Sequence, residues 1–308
     1  SLDRSVEVAR LVRGSVVRTS EPVLEPGGKG VNVTRALAAN GVESLAIVAV
    51  AGPEGAELSR LLERDGVQCR FVPVSGRTRS NLTVMEPDGT VTKLNEPGHP
   101  LGADDLHAIA AALRATVRPG DWLVLSGSTP PDFTAEQVRA VLAEAAGVGA
   151  NLVVDSSGDA LAAALDAHPR IIKPNRHELA ELAGRPIGCV ADLRSAAEGI
   201  RARGADLVLV SLGSEGAVLV GPDGMVVGES HVDRPRSTVG AGDSFLAGFL
   251  SRYTVEEGDV EAALLEALTW GAAAVRLPGS AVPTPTDLDP SDVRLVWQPD
   301  LDRPLVAS

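Results

Sequence analysis

Residues Thr238 to Leu250 read TVGAGDSFLAGFL and bring a glycine-flanked turn, one carboxylate and an apolar run into a single segment. Gly240 and Gly242 let the backbone turn tightly and leave N–H groups uncovered by any side chain. Phe245, Leu246, Phe249 and Leu250 recur at helical spacing, so a helix is expected to begin at about Ala241 and to bury that face. The unpaired N–H groups of its first turn, with the positive end of its dipole, suit anionic oxygen. Asp243 falls inside that turn. A carboxylate beside such a cradle supplies the two parts needed to move a phosphoryl group onto a hydroxyl: a base for the alcohol and donors for the migrating charge. An acidic residue that only stabilises a helix N-terminus gives the same pattern.

Other strings set charge beside flexible backbone. Pro26 to Val33, PGGKGVNV, precedes a helical pattern and carries Lys29 and Asn32 next to Gly28. It lacks the full GxGxxG spacing after a strand, and no GxxxxGK[ST] string occurs in the chain, so neither a dinucleotide fingerprint nor a Walker loop is present. A nicotinamide-dependent oxidoreductase is disfavoured on that ground. The remaining set suits a hydroxylated, anionic ligand, or else a plain structural loop. Arg79, in RTRSN, enters an expected hairpin, where a guanidinium clamps a phosphate or is simply solvated. In Lys173-Pro174-Asn175-Arg176-His177-Glu178, Asn175 and Glu178 are three apart at a helix start. They either face one hydrated Mg²⁺ or form a capping box. Ser211 to Gly216, SLGSEG, leaves a strand with small residues that admit phosphates, or forms an ordinary hairpin.

The elements that must position these groups follow from hydrophobic pattern. Leu45–Val50, Trp122–Leu125, Leu152–Val154 and Leu207–Leu212 are short continuous apolar runs, as buried parallel strands are. Helical patterns lie between them near 31–40, 55–65, 103–117, 134–146, 192–203 and 257–276. This alternation predicts an α/β domain spanning 1–308: a mostly parallel sheet with helices on both faces, and ligands at the carboxyl ends of the strands. Ser126-Gly127-Ser128, Asp155-Ser156-Ser157 and Ser211-Leu212-Gly213 are polar strand exits of that kind. Residues 4–24 and 69–95 read instead as strands without a helix, with a hairpin turn at Pro87-Asp88-Gly89. They are expected to form a small β-layer that covers the site or pairs with a second subunit. The tail from Pro283 reads as irregular except around Val293–Trp297.

The chain has 308 residues, of which 44% are hydrophobic and only 3% aromatic, so the core rests on Ala, Val and Leu rather than on a stacking platform for nucleic acid. A net charge of −13 argues against nucleic acid or an anionic membrane as main partner. Cys69 and Cys189 make no metal or disulfide framework, and a cytoplasmic protein is expected. Lysine occurs only at positions 29, 93 and 173. Retained lysines suit work that needs a compact point charge.

Taken together, PGGKGVNVTRAL, KPNRHEL and STVGAGDSFLAGF, with SGSTPP, VVDSSGDAL and VSLGSEGA in order between them, resemble the ribokinase-like sugar kinases of the phosphofructokinase-B branch. The resemblance runs over essentially the whole chain. It implies a three-layer ribokinase-like fold with a β-sheet lid, ATP as phosphoryl donor, Mg²⁺ as cofactor and a homodimer formed through the lid. It implies Asp243 as catalytic base and the backbone of Gly240, Ala241 and Gly242 as anion hole. Asp3, Gly28, Lys29, Asn32 and Ser128 would touch the sugar, and Arg79 its existing phosphate. Lys173, Asn175, Ser211, Gly213 and Gly216, together with Gly240 and Gly242, would follow the nucleotide phosphates. Glu178 would hold the metal through water, and Ala272–Gly279 would border the adenine. The GGKG form with Lys29, and TRSN followed by NEPG, are similar to fructose-1-phosphate and tagatose-6-phosphate kinases. Fructose 1-phosphate is the expected substrate, with tagatose 6-phosphate, fructose 6-phosphate or a non-catalytic sugar-phosphate sensor as alternatives. Three features depart from the family. Relatives usually carry a strand ahead of the Leu-Asp pair, whereas the chain given opens at Ser1-Leu2-Asp3, which is expected to bare the adjacent strand and disturb Asp3. Thr83 replaces a frequent lysine. Asp132 replaces a frequent glycine.

Overall fold

In the first third of the chain the strands divide between two sheets. The computed structural model describes residues 1–306; positions 307 and 308, part of the domain and tail read from sequence, lie outside the described residues. The chain opens with β1 (Leu2–Glu7), β2 (Val23–Pro26), α1 (Lys29–Ala39), β3 (Ala46–Val50), α2 (Gly52–Arg64), β4 (Cys69–Pro73), β5 (Ser80–Met85) and β6 (Val91–Asn95). Strands β2-β1-β5-β6 form a four-stranded sheet with β1 and β5 parallel and its other pairs antiparallel. The turn after β5 closes as the Pro-Asp-Gly string predicts, with Glu86 N–H on Thr90 O at 2.9 Å and Thr90 N–H on Asp88 Oδ1 at 2.9 Å. Val6, Val8 and Val84 are buried on one face of this sheet.

One expectation is corrected here. The segment 69–73 is not part of the lid: β4 pairs parallel with β3 in a separate two-stranded sheet. The reason is the helix between them, since α2 buries Leu58 and Leu62 against Val67, Val48 and Phe71 and so sets β4 beside β3 in one β3-α2-β4 unit. The lid therefore draws on 2–7, 23–26, 80–85 and 91–95, and residues 8–22 add no strand to it.

The rest of the chain builds the main sheet through α3 (Ala103–Thr116), β7 (Trp122–Ser126), α4 (Ala135–Gly147), β8 (Asn151–Asp155), α5 (Gly158–Ala164), β9 (Ile171–Ile172), α6 (Arg176–Ala183), α7 (Val190–Arg201), β10 (Leu207–Ser211), β11 (Ala217–Gly221), β12 (Gly224–Ser230), α8 (Ala241–Tyr253), α9 (Val260–Val275) and β13 (Val293–Val296). The order is β13-β12-β11-β10-β9-β8-β7, parallel from β7 to β10 and antiparallel from β10 to β13. Period-2 alternation sends successive residues to opposite faces. Val154, Ile172, Val208 and Val210 pack with Leu142, Leu161, Leu179 and Leu193 of α4 to α7. Val153, Ile171, Leu207 and Leu209 pack with Leu246, Phe249, Leu264 and Trp270 of α8 and α9. The result is a three-layer helix–sheet–helix domain, with each fully buried Leu, Ile or Val contributing about 1.5–3 kcal/mol.

Helix starts follow their capping residues. Thr134 Oγ1 accepts from Gln137 N–H at 3.3 Å while Gln137 Oε1 accepts from Thr134 N–H at 2.8 Å, and Asp259 caps α9 through Ala262 N–H at 3.0 Å. Asp132 has φ 60°, a left-handed conformation that glycine adopts more readily than aspartate. The facing edges of β3 and β7 line a cleft of about 1400 Å³ that also reaches Gly28, Lys29, Arg79 and Ser128. No described helix is long and apolar enough to cross a membrane.

Candidate active site

Helix α8 begins without a side-chain cap. Its N-cap is Gly240, with φ 76°, a conformation open to glycine at no steric cost. Ala241 N–H reaches Thr238 O at 3.4 Å and Ser244 N–H reaches Gly240 O at 2.8 Å. The N–H groups of Gly242 and Asp243 thus lie ahead of the helical ladder, and Gly242 is exposed. Phe245, Leu246, Phe249 and Leu250 are all buried, which anchors the turn against the core.

The Asp243 side chain is turned inward and only 6% of the residue is exposed. Its Oδ2 accepts from Asn32 Nδ2 at 2.8 Å, across 211 residues of chain. Burial pushes the carboxyl above the usual carboxylate range, and the nearby Asp155 charge adds to this. The Asn32 donor and the Lys29 and Lys173 ammonium groups work the other way. Asp243 does not itself line the large cleft; Asn32 joins it to the stretch of α1 that does.

Lys29 opens α1 immediately after Gly28, whose φ is 109°. Its Nζ donates to Asp155 Oδ1 at 3.0 Å. Burial of the ammonium acts to lower its pKa, but the charge and hydrogen bond of Asp155, with Glu178 and Asp243 behind them, outweigh this and raise it. Lys173, which follows β9, is almost wholly buried and sits 3.2 Å from the same Asp155 oxygen. A side chain at Gly242 would lie 3.8 Å from the Lys173 Nζ, so this ammonium borders the open helix end.

On the lid side, Asp3 Oδ1 accepts from Ser1 Oγ at 3.0 Å and Asn81 Nδ2 at 2.8 Å, and its carboxylate packs directly on Gly27. Asp3 thereby sits in the first lid strand with its carboxylate engaged by neighbouring groups. Arg79 Nη1 donates to Ser128 Oγ at 3.1 Å, which joins the lid hinge to the polar exit of β7. Thr83 stands opposite Lys93 in the β5–β6 register.

At the far side, Asn175 and Glu178 form the capping box of α6: Asn175 Oδ1 accepts from Glu178 N–H at 2.9 Å, and Glu178 Oε2 accepts from Asn175 N–H at 2.8 Å. Glu178 Oε1 remains outside that pair. Asn175 lies beside Ser211 in a parallel bridge. Gly213 and Gly216 flank a 3₁₀ turn that closes the β10–β11 hairpin, so the structural reading of that string is also realised. Gly216 has φ 95°, and a Cβ there would run into the backbone of Gly228 and Glu229.

The structure thus gathers Asn32, Lys29, Lys173 and Asp243 in one cluster, with Gly28, Arg79 and Ser128 along the cleft that Lys29 also lines and with Asn175 and Ser211 paired just beyond Lys173. Asp155, legible in the sequence only as part of a polar strand exit and without a role of its own, is fully buried between the two lysines. Its signal was a carboxylate at the exact point where an apolar strand ends. Among the described residues no group of three or more His, Cys, Asp or Glu side chains converges as a metal cage.

Comparison with known proteins identifies the family. The family model described as pfkB family carbohydrate kinase matches residues 2–287. The 1-phosphofructokinase of Xanthomonas campestris is 35% identical over 85% of this chain and 84% of its own length. The 1-phosphofructokinase of Rhodobacter capsulatus is 38% identical over 83% of this chain and 81% of its own. The crystal structure of phosphofructokinase-2 from Escherichia coli in complex with potassium superposes with a TM-score of 0.89 at 32% identity, covering 93% of each chain. The fold is ribokinase-like, and the chain belongs to the pfkB family of carbohydrate kinases, which are phosphotransferases.

Proposed function

We propose that this kinase transfers the γ-phosphoryl group of ATP to a primary hydroxyl of fructose 1-phosphate, giving fructose 1,6-bisphosphate and ADP. The observation that carries the reading is the desolvated Asp243 carboxylate at the uncapped start of α8, oriented by Asn32 and flanked by two ammonium groups. The sugar hydroxyl oxygen attacks the γ-phosphorus, the bond from that phosphorus to ADP breaks, and the hydroxyl proton passes to Asp243. Within the Gly240-Ala241-Gly242 turn the uncommitted Gly242 N–H, with that of Asp243 beside it, takes up charge on the migrating group, since the Ala241 N–H is already directed at Thr238 O. Gly28, Lys29, Asn32, Asp3 and Ser128 bind the sugar, and Arg79 clamps its phosphate. Lys173, Asn175, Ser211, Gly213 and Gly216 line the nucleotide phosphates. Mg²⁺, when bound, would supply further positive charge at those phosphates, and Glu178, with one carboxylate oxygen outside the capping box, would hold it through water.

The two 1-phosphofructokinase relatives support fructose 1-phosphate. The likeness to phosphofructokinase-2 favours fructose 6-phosphate as a second reading, and tagatose 6-phosphate is a third. The enzyme acts in the cytoplasm, as a homodimer joined through the four-stranded lid, whose Val23, Val91 and Leu94 are exposed. A coupled ADP-release assay with MgATP and each of the three sugar phosphates tests the substrate. The highest kcat/KM is expected for fructose 1-phosphate. A preference for either other sugar replaces the assignment, and no release with any of them removes the ketohexose phosphates altogether.

A further inference from the structure

Asp155 ends β8 and has no part in the chemistry above, yet it is the fully buried charge nearest both halves of the site. Its Oδ1 accepts from Lys29 Nζ at 3.0 Å and from Lys173 Nζ at 3.2 Å. Its Oδ2 is buried without a hydrogen-bond partner among the described residues. The two lysines reach it from different elements. Lys29 comes from the start of α1, beside the sugar-side glycines, and its side chain is 38% exposed. Lys173 follows β9, borders Gly242 and is 5% exposed. A long, flexible lysine loses rotamer freedom when it is fixed, so two of them need a reason to converge. A single buried oxygen that both must share is such a reason, because it cannot be solvated by water instead.

We propose that Asp155 is a positioning residue for phosphoryl transfer: through one carboxylate oxygen it holds the Lys29 ammonium on the sugar side and the Lys173 ammonium on the nucleotide side at a set separation around Asp243. The proposal rests on the kinase reading and deepens it. A carboxylate that served stability alone would leave the affinities for the two substrates independent of it. A shared anchor makes both depend on it, whereas each lysine serves one substrate only.

The scarcity of lysine makes the test direct. With lysine labelled by ¹³C at Cε, the whole protein gives signals from positions 29, 93 and 173 alone. Lys93 lies exposed on β6 and serves as the internal reference. In Asp155→Asn the Lys29 and Lys173 signals move and that of Lys93 stays. In Lys29→Met, with Asp155 untouched, the Lys173 signal moves because its acceptor has lost the competing donor. Kinetically, Asp155→Asn raises KM for both the sugar phosphate and ATP about tenfold or more. Lys29→Met raises KM for the sugar phosphate only, and Lys173→Met for ATP only. Unmoved Lys29 and Lys173 signals, or a KM change in Asp155→Asn confined to one substrate, overturns the proposal. If Asp155→Asn does not fold, the Lys29→Met spectrum decides. A wild-type protein that phosphorylates none of the sugars defeats the kinase reading and leaves the shared anchor to be judged on the spectra.

Discussion

Replacing Asp243 by asparagine is expected to abolish turnover and to make the protein more stable at neutral pH. The amide has nearly the same volume, and its oxygen still accepts from Asn32 Nδ2, which now lies 2.8 Å from Asp243 Oδ2. Packing and nucleotide binding therefore stay close to wild type. What disappears is the proton acceptor, worth about 10²–10⁴ in kcat, or roughly 3–5 kcal/mol of barrier. Stability moves the other way because burial raises the Asp243 pKa above its unfolded value. Between those two values the folded state binds more protons than the unfolded state, so stability falls as pH rises through that window. At neutral pH the ionised carboxylate subtracts from stability, and the neutral amide restores what is lost. Thermal melts should show a higher Tm for Asp243→Asn near pH 7, with the gap closing below the ordinary carboxylate pKa, where the wild-type group is protonated in both states. The same shift moves the acid limb of the wild-type kcat/KM profile above the usual aspartate range. Residual activity above about a tenth of wild type takes Asp243 out of the base role. A lower Tm at neutral pH shows that the two ammonium groups outweigh desolvation, and refutes the reasoning about its charge.

Arg79→Ala is expected to raise KM for the sugar phosphate about tenfold or more while leaving that for ATP within about twofold, since a charge-assisted contact is lost beside Ser128; the opposite pattern moves Arg79 to the nucleotide side. Gly216→Ala combines φ 95° with a Cβ inside the Gly228–Glu229 backbone, so denaturant unfolding should show a loss of at least about 2 kcal/mol. An unchanged midpoint means the hairpin yields freely. Asp132→Gly removes a left-handed non-glycine residue at φ 60° and should gain about 1 kcal/mol in the same assay, with any loss counting against strain there. For the lid dimer, Leu94→Glu should shift the protein to monomer in sedimentation velocity; a monomeric wild type ends that proposal.

How much could be read beforehand depends on the range of each interaction. The apolar strands and amphipathic helices were legible because each is a local period, and the start of α8 at Ala241 was legible because glycine, carboxylate and apolar face lie within a few residues. Cys69–Pro73 misled because a short strand carries no record of its partner; only the burial of α2 on Val67 and Phe71 ties it to β3. The Asn175–Glu178 pair was ambiguous for a physical reason, since one spacing serves both a capping box and a ligand pair, and the cap is what forms locally. The two-residue β9 and the short α5 are held by their surroundings more than by their own pattern. Asp155 was visible as a strand exit, but its lysine partners lie 126 and 18 positions away, and no local rule links them.

The same long-range geometry explains why the chemistry collects along one line. In the parallel part of the sheet Ser126 stands opposite Asp155, and Val154 stands opposite Ile172, so the next residues, Asp155 and Lys173, follow in step. Lys173 N–H donates to Val154 O at 2.9 Å and keeps that step in register. Asn175 and Ser211 then pair one row further out. On β7, β8 and β9 the apolar run ends at the carboxyl end in Ser126, Asp155 and Lys173, and the last of these borders Gly242 at the N-terminus of α8. Strands β7, β8 and β9 end their apolar runs in step, while β10 runs on through the buried Leu209 and Val210; a polar residue one step earlier on the first three would lie between two packed helical layers without water. The active-site row is therefore a consequence of where three hydrophobic runs stop, and the glycine turn before Asp243 completes it by leaving a helix end open to that row.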